Sequence, residues 1–323
     1  MITLVGAASA VYRPACAALL SELTPAHRQV MIFAIYRSVM NLGTTAAPLI
    51  GAALISVSYN LLFWGEAGAA LAYAVIALVA LPASAVAAVE GSQAARADTA
   101  AEADPEATAE TGAVRQPSTG YLAVLADRRY LLYLVAVLVN MAVYVQYVSA
   151  LPLAMRAAGL ATVWYGGVIA LNGVIVITCE LLMTRLVQRW PPRAVVMAGF
   201  ALLGGGMAAY ALPWGAAIFV IGTLVWSLAE IVAGPTMFAY PAMAAPPGLR
   251  GRYVGAAQAT FGLGMAIGPV IGVAVWHSFG RSLWWTCGLA CAVGLAAAWR
   301  GIGPQARAPE AGPGLEPDTR QPA

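Results

Sequence analysis

Lysine is absent from the 323-residue chain, so all seventeen basic side chains other than histidine are arginine. Charge of either sign is scarce. Asp, Glu, Lys and Arg together make up 10% of the sequence, against roughly a quarter in a soluble domain, which excludes an ordinary water-soluble body. No stretch interleaves basic with aromatic side chains, so nucleic acid is excluded as a partner. There are only two histidines and four cysteines, and Cys287 and Cys291 sit one helical turn apart with no histidine beside them. Two thiols alone make a poor metal site, so no metal is expected, and Cys16, Cys179, Cys287 and Cys291 read as small apolar packing residues. No catalytic triad or phosphate-cradling loop occurs. GLGMAIG at 262–268 follows no strand, so neither a dinucleotide nor any other cofactor is expected, and the chain is not read as an enzyme.

What is present is apolar: 61% of residues belong to the hydrophobic set. A bilayer core needs about 20 mostly apolar residues per helix, and runs of that kind fall near 1–22, 29–57, 62–85, 129–153, 163–187, 194–212, 216–241, 253–276 and 282–300. An all-α membrane protein of about nine transmembrane helices follows. The first run has no basic residue ahead of it and is interrupted by Arg13-Pro14, so it reads as a membrane helix, not a secretory signal. Residues 86–127 and 302–323 are rich in Ala, Glu, Asp, Pro and Thr, and are expected to be a disordered linker and a disordered tail. With the linker cytoplasmic, thirteen arginines lie inside and only Arg156 and Arg281 outside, which orients the chain with linker and C-terminus in the cytoplasm. Arg13 and Arg37 fall within helices. Trp214, Trp276, Trp284 and Trp285 lie near helix ends and read as interfacial anchors.

The sequence repeats itself. MNLGTTAAPLIG at 40–51 is echoed by FGLGMAIGPVIG at 261–272, and the prolines are 221 positions apart (269 − 48). The same offset pairs Gly43 with Gly264, Gly51 with Gly272, Pro14 with Pro235, Pro25 with Pro246 and Phe63-Trp64 with Trp284-Trp285. Repeated halves are a recurring architecture of secondary transporters. Residues 1–85 then form a partial N-terminal bundle, and 128–301 a C-terminal bundle of six helices.

These features resemble the major facilitator superfamily, whose members have two six-helix bundles joined by a cytoplasmic loop. NLGTTAAPLIGAA is similar to the glycine-proline motif of that family's fifth helix, with Ala47 and Ala52 where glycines are usual. Gly264, Gly268, Pro269 and Gly272 follow the pattern more closely in the eleventh. TRLVQRWPPRAV, with Arg185, Arg189 and Arg193, is similar to the second copy of the family's basic loop, and AAPPGLRGR, with Arg250 and Arg252, to the basic turn before the eleventh helix. Aligned in this way, the chain corresponds to helices four to twelve, and three helices are expected to be missing from the amino end.

The resemblance implies alternating-access transport in a bacterial cytoplasmic membrane, most simply proton-coupled efflux of small amphipathic molecules or metabolites by a monomer. Its partners would be the substrate, protons and the lipid bilayer. An inactive transporter remnant and a metabolite uniporter or importer stay open as alternatives. Interior ionisable residues point to the site, because a charge at the bilayer centre persists only beside a partner or a wet cavity. Glu230, at mid-helix, is the leading candidate to exchange a proton with substrate. Arg13 lies one turn from the repeat equivalent of Glu230, and Asn140, Tyr144, Asn172 and Trp226 are candidate cavity residues. Arg37 and Glu180, on the family's fifth and eighth helices, form a second candidate pair where the bundles meet. The stripes Gly43, Pro48, Gly51 and Gly264, Gly268, Pro269, Gly272 are expected at the contact between bundles.

Overall fold

The computed structural model describes residues 16–17, 19–21, 23–80, 120–246 and 248–303. Among them no strand occurs, and the order of helices is α1 (Gln29–Val57), α2 (Tyr59–Ala80), α3 (Gly120–Ala126), α4 (Arg128–Tyr144), α5 (Gln146–Ser149), α6 (Leu151–Ala157), α7 (Thr162–Val187), α8 (Pro192–Ala209), α9 (Gly215–Ala244), α10 (Arg250–Phe279) and α11 (Ser282–Gly301). Among the described residues six helices are membrane-capable: the run Arg128–Ser149, then α7, α8, α9, α10 and α11 are each long and apolar enough to cross a bilayer. Their outward faces carry Leu182, Val270, Leu289 and other large apolar side chains, a surface suited to lipid and costly in water. The expected run 1–22 falls mostly outside the described residues, as do 86–119 and 304–323.

Local chemistry explains the boundaries. The Asp127 side chain accepts from the Tyr130 backbone N–H at 3.0 Å, capping α4, and the Tyr253 hydroxyl donates to its other oxygen at 2.9 Å. The expected 129–153 helix is divided into α4, α5 and α6; Pro152 sits in the first turn of α6 and cannot donate to the Val148 carbonyl, which separates α6 from α5. Gly280 ends α10 at φ 54°, a conformation that glycine adopts without strain. The expected linker over 86–127 needs correction at its end. Its last residues, GYLAVLA, form α3, because Val124 is apolar enough to bury against the bundle while Tyr121 reaches α10 beside Gly255.

The 221-residue offset survives as geometry. Shifting α1 by 221 gives 250–278 against the observed Arg250–Phe279, and shifting α2 gives 280–301 against Ser282–Gly301. The two segments share helix length and phase as well as motif.

Helix α8 packs on α9 and α11, α11 on α4, and α4 on α10, while α1 packs on α7 and α9. Trp226, Trp284, Tyr130, Tyr133 and Phe200 fill the interior. Trp284 is therefore a core residue, whereas Trp214 and Trp285 are exposed as anchors should be. Glycines let backbones approach: a Cβ at Gly206 would lie 2.8 Å from the Trp226 nitrogen.

The stripe on α10 serves the same purpose in an unexpected place. A Cβ at Gly264 would meet Met141 at 2.6 Å, one at Gly268 would meet the Ala142 carbonyl at 2.9 Å, and Gly272 faces the Gln146 amide. Gly264, Gly268 and Gly272, with Pro269 among them, thus seat α10 on α4 and α5, inside the second half of the chain. The resemblance places this stripe at the contact between bundles; the described residues that face it belong to the second half, while α1 packs on α7 and α9. On α1, a Cβ at Gly43 would meet nothing within 4 Å and Gly51 is half-buried. Pro48 belongs to α1, with its side chain outside the described residues.

Candidate functional site

The interior charges meet at one point. Arg37 projects from α1, and its Nε donates to Glu180 Oε1 on α7 at 2.7 Å while its Nη2 donates to Glu230 Oε1 on α9 at 3.1 Å. Charge-assisted hydrogen bonds of this kind are about twice as strong as neutral ones. The Glu180 side chain is fully buried and is also approached by the Ser38 hydroxyl at 3.5 Å. Glu230 accepts a further hydrogen bond from Asn172 Nδ2 on α7, 3.1 Å from its Oε2, and the same amide donates to Ser227 Oγ at 3.0 Å. The Tyr144 hydroxyl neighbours the same carboxylate. The sequence paired Arg37 with Glu180 and looked to Arg13 as the cation near Glu230. Arg37 serves both carboxylates, and Arg13 lies outside the described residues.

This triad borders a cavity of about 730 Å³, within the range of small-molecule sites. Of the expected residues, Arg37, Asn140, Tyr144, Trp226 and Glu230 line it, whereas Glu180 and Asn172 stand behind and brace it. Trp226 is fully buried and forms the back wall, stacked on Tyr147 at 5.3 Å and edge-on to Tyr144 at 5.7 Å. Its indole N–H donates to the Tyr210 hydroxyl at 2.7 Å, which fixes the ring. The Asn140 and Gln258 amides face the cavity, and Met40, Met141, Met237 and Met265 supply a soft apolar lining that can follow varied shapes. Gln146 turns away to bond the Gly268 carbonyl at 2.8 Å, tying α5 to α10.

The repeat sets the cavity's two facing walls. Tyr36, Arg37, Met40, Asn41 and Thr44 of α1, shifted by 221, fall on 257, 258, 261, 262 and 265, and Gln258, Phe261, Gly262 and Met265 of α10 line the cavity too. One helical face is used twice with different chemistry. The α1 wall is charged and polar, and its α10 counterpart is mainly apolar.

Below the cavity, near the ends of α1 and α10 that carry the basic turns, Ala17, Phe33, Ala239, Ala242 and Val254 form an apolar plug. Beside it, Gln29 Nε2 and Arg250 Nη1 both donate to the Ser21 carbonyl, at 3.2 and 3.3 Å. Gln29 and Arg250 are repeat equivalents, one opening each helix. Of the other basic-loop residues, Arg185 and Arg189 are exposed, Arg252 is half-buried, and the Arg193 guanidinium lies over the Trp299 ring, 3.3 Å from its centroid.

Sequence reasoning missed Gly234 and Phe238, both beside Arg37. The spacing of Glu230, Gly234 and Phe238 was visible, but which charge they would face depends on how α1 docks.

Comparison with known proteins agrees with this architecture. A Na(+), Li(+), K(+)/H(+) antiporter of Planococcus maritimus is 23% identical over 296 residues, spanning 86% of this chain and 67% of that protein. A protein described as the uncharacterized MFS-type transporter YqjV, from Bacillus subtilis strain 168, is 24% identical over 270 residues, spanning 83% and 61%. The crystal structure of the human organic anion transporter MFSD10 (TETRAN) superposes with a TM-score of 0.64 at 16% identity, covering 87% of this chain and 66% of its own, a likeness of fold. The chain thus spans about two thirds of the length of these relatives. The Major Facilitator Superfamily family model matches residues 1–269 and again 181–322. With that match covering nearly the whole sequence, and the cavity, fold and relatives in accord, the chain belongs to the Major Facilitator Superfamily of multi-pass membrane transporters.

Proposed function

We propose that this protein moves small amphipathic molecules or metabolites outward across the bacterial cytoplasmic membrane in exchange for protons, as a monomer working by alternating access. The observation that carries this reading is the single guanidinium shared by two carboxylates beside a ligand-sized cavity. With both acids ionised, Arg37, Glu180 and Glu230 sum to a net charge of −1. One proton on Glu230, or one positive charge on a substrate, neutralises the site, so the two compete for one place. Competition of this kind is the thermodynamic root of exchange.

The two acids divide the work. Glu180, sealed from the cavity, anchors Arg37, and Glu230, which lines the cavity, is the exchanging member. The bridge joins α1 of the first half to α7 and α9 of the second, so a change in the charge of Glu230 alters how strongly the halves hold together. The walls suit an amphipathic guest, with polar groups toward Arg37 and Asn41 and apolar parts toward Phe261 and Met265. The positive-inside bias puts the plug of Phe33, Ala239, Ala242 and Val254 on the cytoplasmic side, which makes this an outward-facing arrangement. The domain division follows the same logic, with 1–85 in the first bundle, 128–301 as the second, and linker and tail in the cytoplasm.

A second reading, exchange of monovalent metal cations for protons, is favoured by the name of the Planococcus relative and by the net negative site. The methionines and aromatic rings of the cavity favour an organic guest over a bare ion. Substrate-driven proton movement in proteoliposomes tests the reading. Glu230→Gln is expected to abolish proton movement while retaining substrate binding; proton coupling equal to wild type in that variant overturns the role of Glu230. Proton flux driven by Na⁺ or K⁺ alone would favour the second reading.

A further inference from the structure

Helix α9 presents Glu230, Gly234 and Phe238 one turn apart, stacked on a single face. All three meet the same group. Arg37 Nη2 lies 3.1 Å from Glu230 Oε1, and a Cβ added at Gly234 would fall 2.6 Å from Arg37 Cζ and 2.8 Å from both Nε and Nη2. Cζ stands 5.3 Å from the centre of the Phe238 ring, within the range of a cation–π contact. The other tight glycines admit different neighbours: Gly206 the Trp226 backbone, Gly264 Met141, and Gly294 the Phe200 ring. At Gly234, by contrast, the vacancy is filled within 3 Å by a charged group.

We propose that Glu230, Gly234 and Phe238 form a seat for one planar guanidinium, and that Gly234 and Phe238 are positioning residues which hold Arg37 in reach of both carboxylates. The carboxylate supplies opposite charge, the glycine a flat gap, and the ring the negative face of its π system. Any side chain at 234 would push the guanidinium off Glu230. A lysine at 37 would bring a tetrahedral ammonium that cannot lie flat in the gap or offer Nε and Nη2 in fixed directions to two acceptors. The seat needs no proton on Glu230, so it goes beyond the transport reading and its test stands apart from proton coupling.

The test is thermal unfolding of the full-length chain in detergent. Arg37→Ala vacates the seat, and methylguanidinium is expected to raise the Tm of that variant saturably, by about 2 °C or more, as a ligand of the folded state does. Methylammonium is expected to leave it unchanged, neither compound should shift the wild type, and adding Gly234→Ala should remove the response. If Arg37→Ala fails to fold, a double-mutant cycle decides instead. Gly234→Ala should lower the Tm at least twice as far in the Arg37 protein as in Arg37→Lys, because its effect runs through the guanidinium. A methylguanidinium response that survives Gly234→Ala, an equal response to methylammonium, or additivity in the cycle overturns the seat.

Discussion

At the scale of single residues, Arg37 carries the most consequence, because two carboxylates depend on it. Truncating one partner of a buried pair leaves the other charge without compensation, which costs about 3–5 kcal/mol, more than the pair itself contributes. Arg37→Ala is therefore expected to destabilise the protein strongly in detergent unfolding, and Glu180→Gln less, because Arg37 then keeps Glu230. The double variant Arg37→Ala, Glu180→Gln should recover part of the loss, and a strictly additive double would argue against the bridge. Glu230 and Glu180 were legible in the sequence as two ionisable residues inside apolar helices. Their convergence on one arginine was not, since they lie 193 and 143 residues from Arg37 and meet it only through the docking of α1 on α7 and α9.

Among helices, an irregular residue of α9 has its partner on α4. Pro241 has no N–H to offer the Met237 carbonyl, and the Tyr133 hydroxyl of α4 donates to that carbonyl instead. Tyr133→Phe is expected to cost about 1–3 kcal/mol by leaving a buried acceptor unpaired, and much less in a Pro241→Ala background, where the helix supplies its own donor; chemical unfolding of the four proteins measures the difference. On α10, Gly268→Leu is expected to force α10 from α4, because even a Cβ at 268 would stand 2.9 Å from the Ala142 carbonyl. The same change at Gly43, which meets nothing within 4 Å, should be tolerated. Expression and thermal stability of the two variants distinguish the sites. The repeat announced that the two stripes match. It could not say that the α10 stripe is a seam while Gly43 of the α1 stripe meets nothing within 4 Å, because small residues record only that something large can approach.

Over the described residues of the whole molecule, helix content, most span boundaries and the duplication were readable from apolar run length and a fixed offset. Three things were not: the helix at 120–126, hidden in a polar surround; the break after Tyr144; and the side of α10 that meets its neighbour. The plug and the paired donors on the Ser21 carbonyl make a prediction at this scale. Gln29→Ala with Arg250→Ala should loosen the packing around Ser21, so that Val254→Cys becomes more reactive to a thiol reagent applied from the side of oriented vesicles proposed to be cytoplasmic. Unchanged labelling would mean that the apolar cluster closes that side by itself.

The separation of charge between the halves also bears on how the protein is made. The interior cation leaves the ribosome 143 residues ahead of its first counter-ion, and 193 ahead of the second. During that interval α1 must either wait at the membrane surface or hold Arg37 against water and headgroups. Its final burial is thus timed by the synthesis of α7 and α9. A chain divided within residues 86–119 should yield two fragments that resist proteolysis when produced together and are degraded when produced apart.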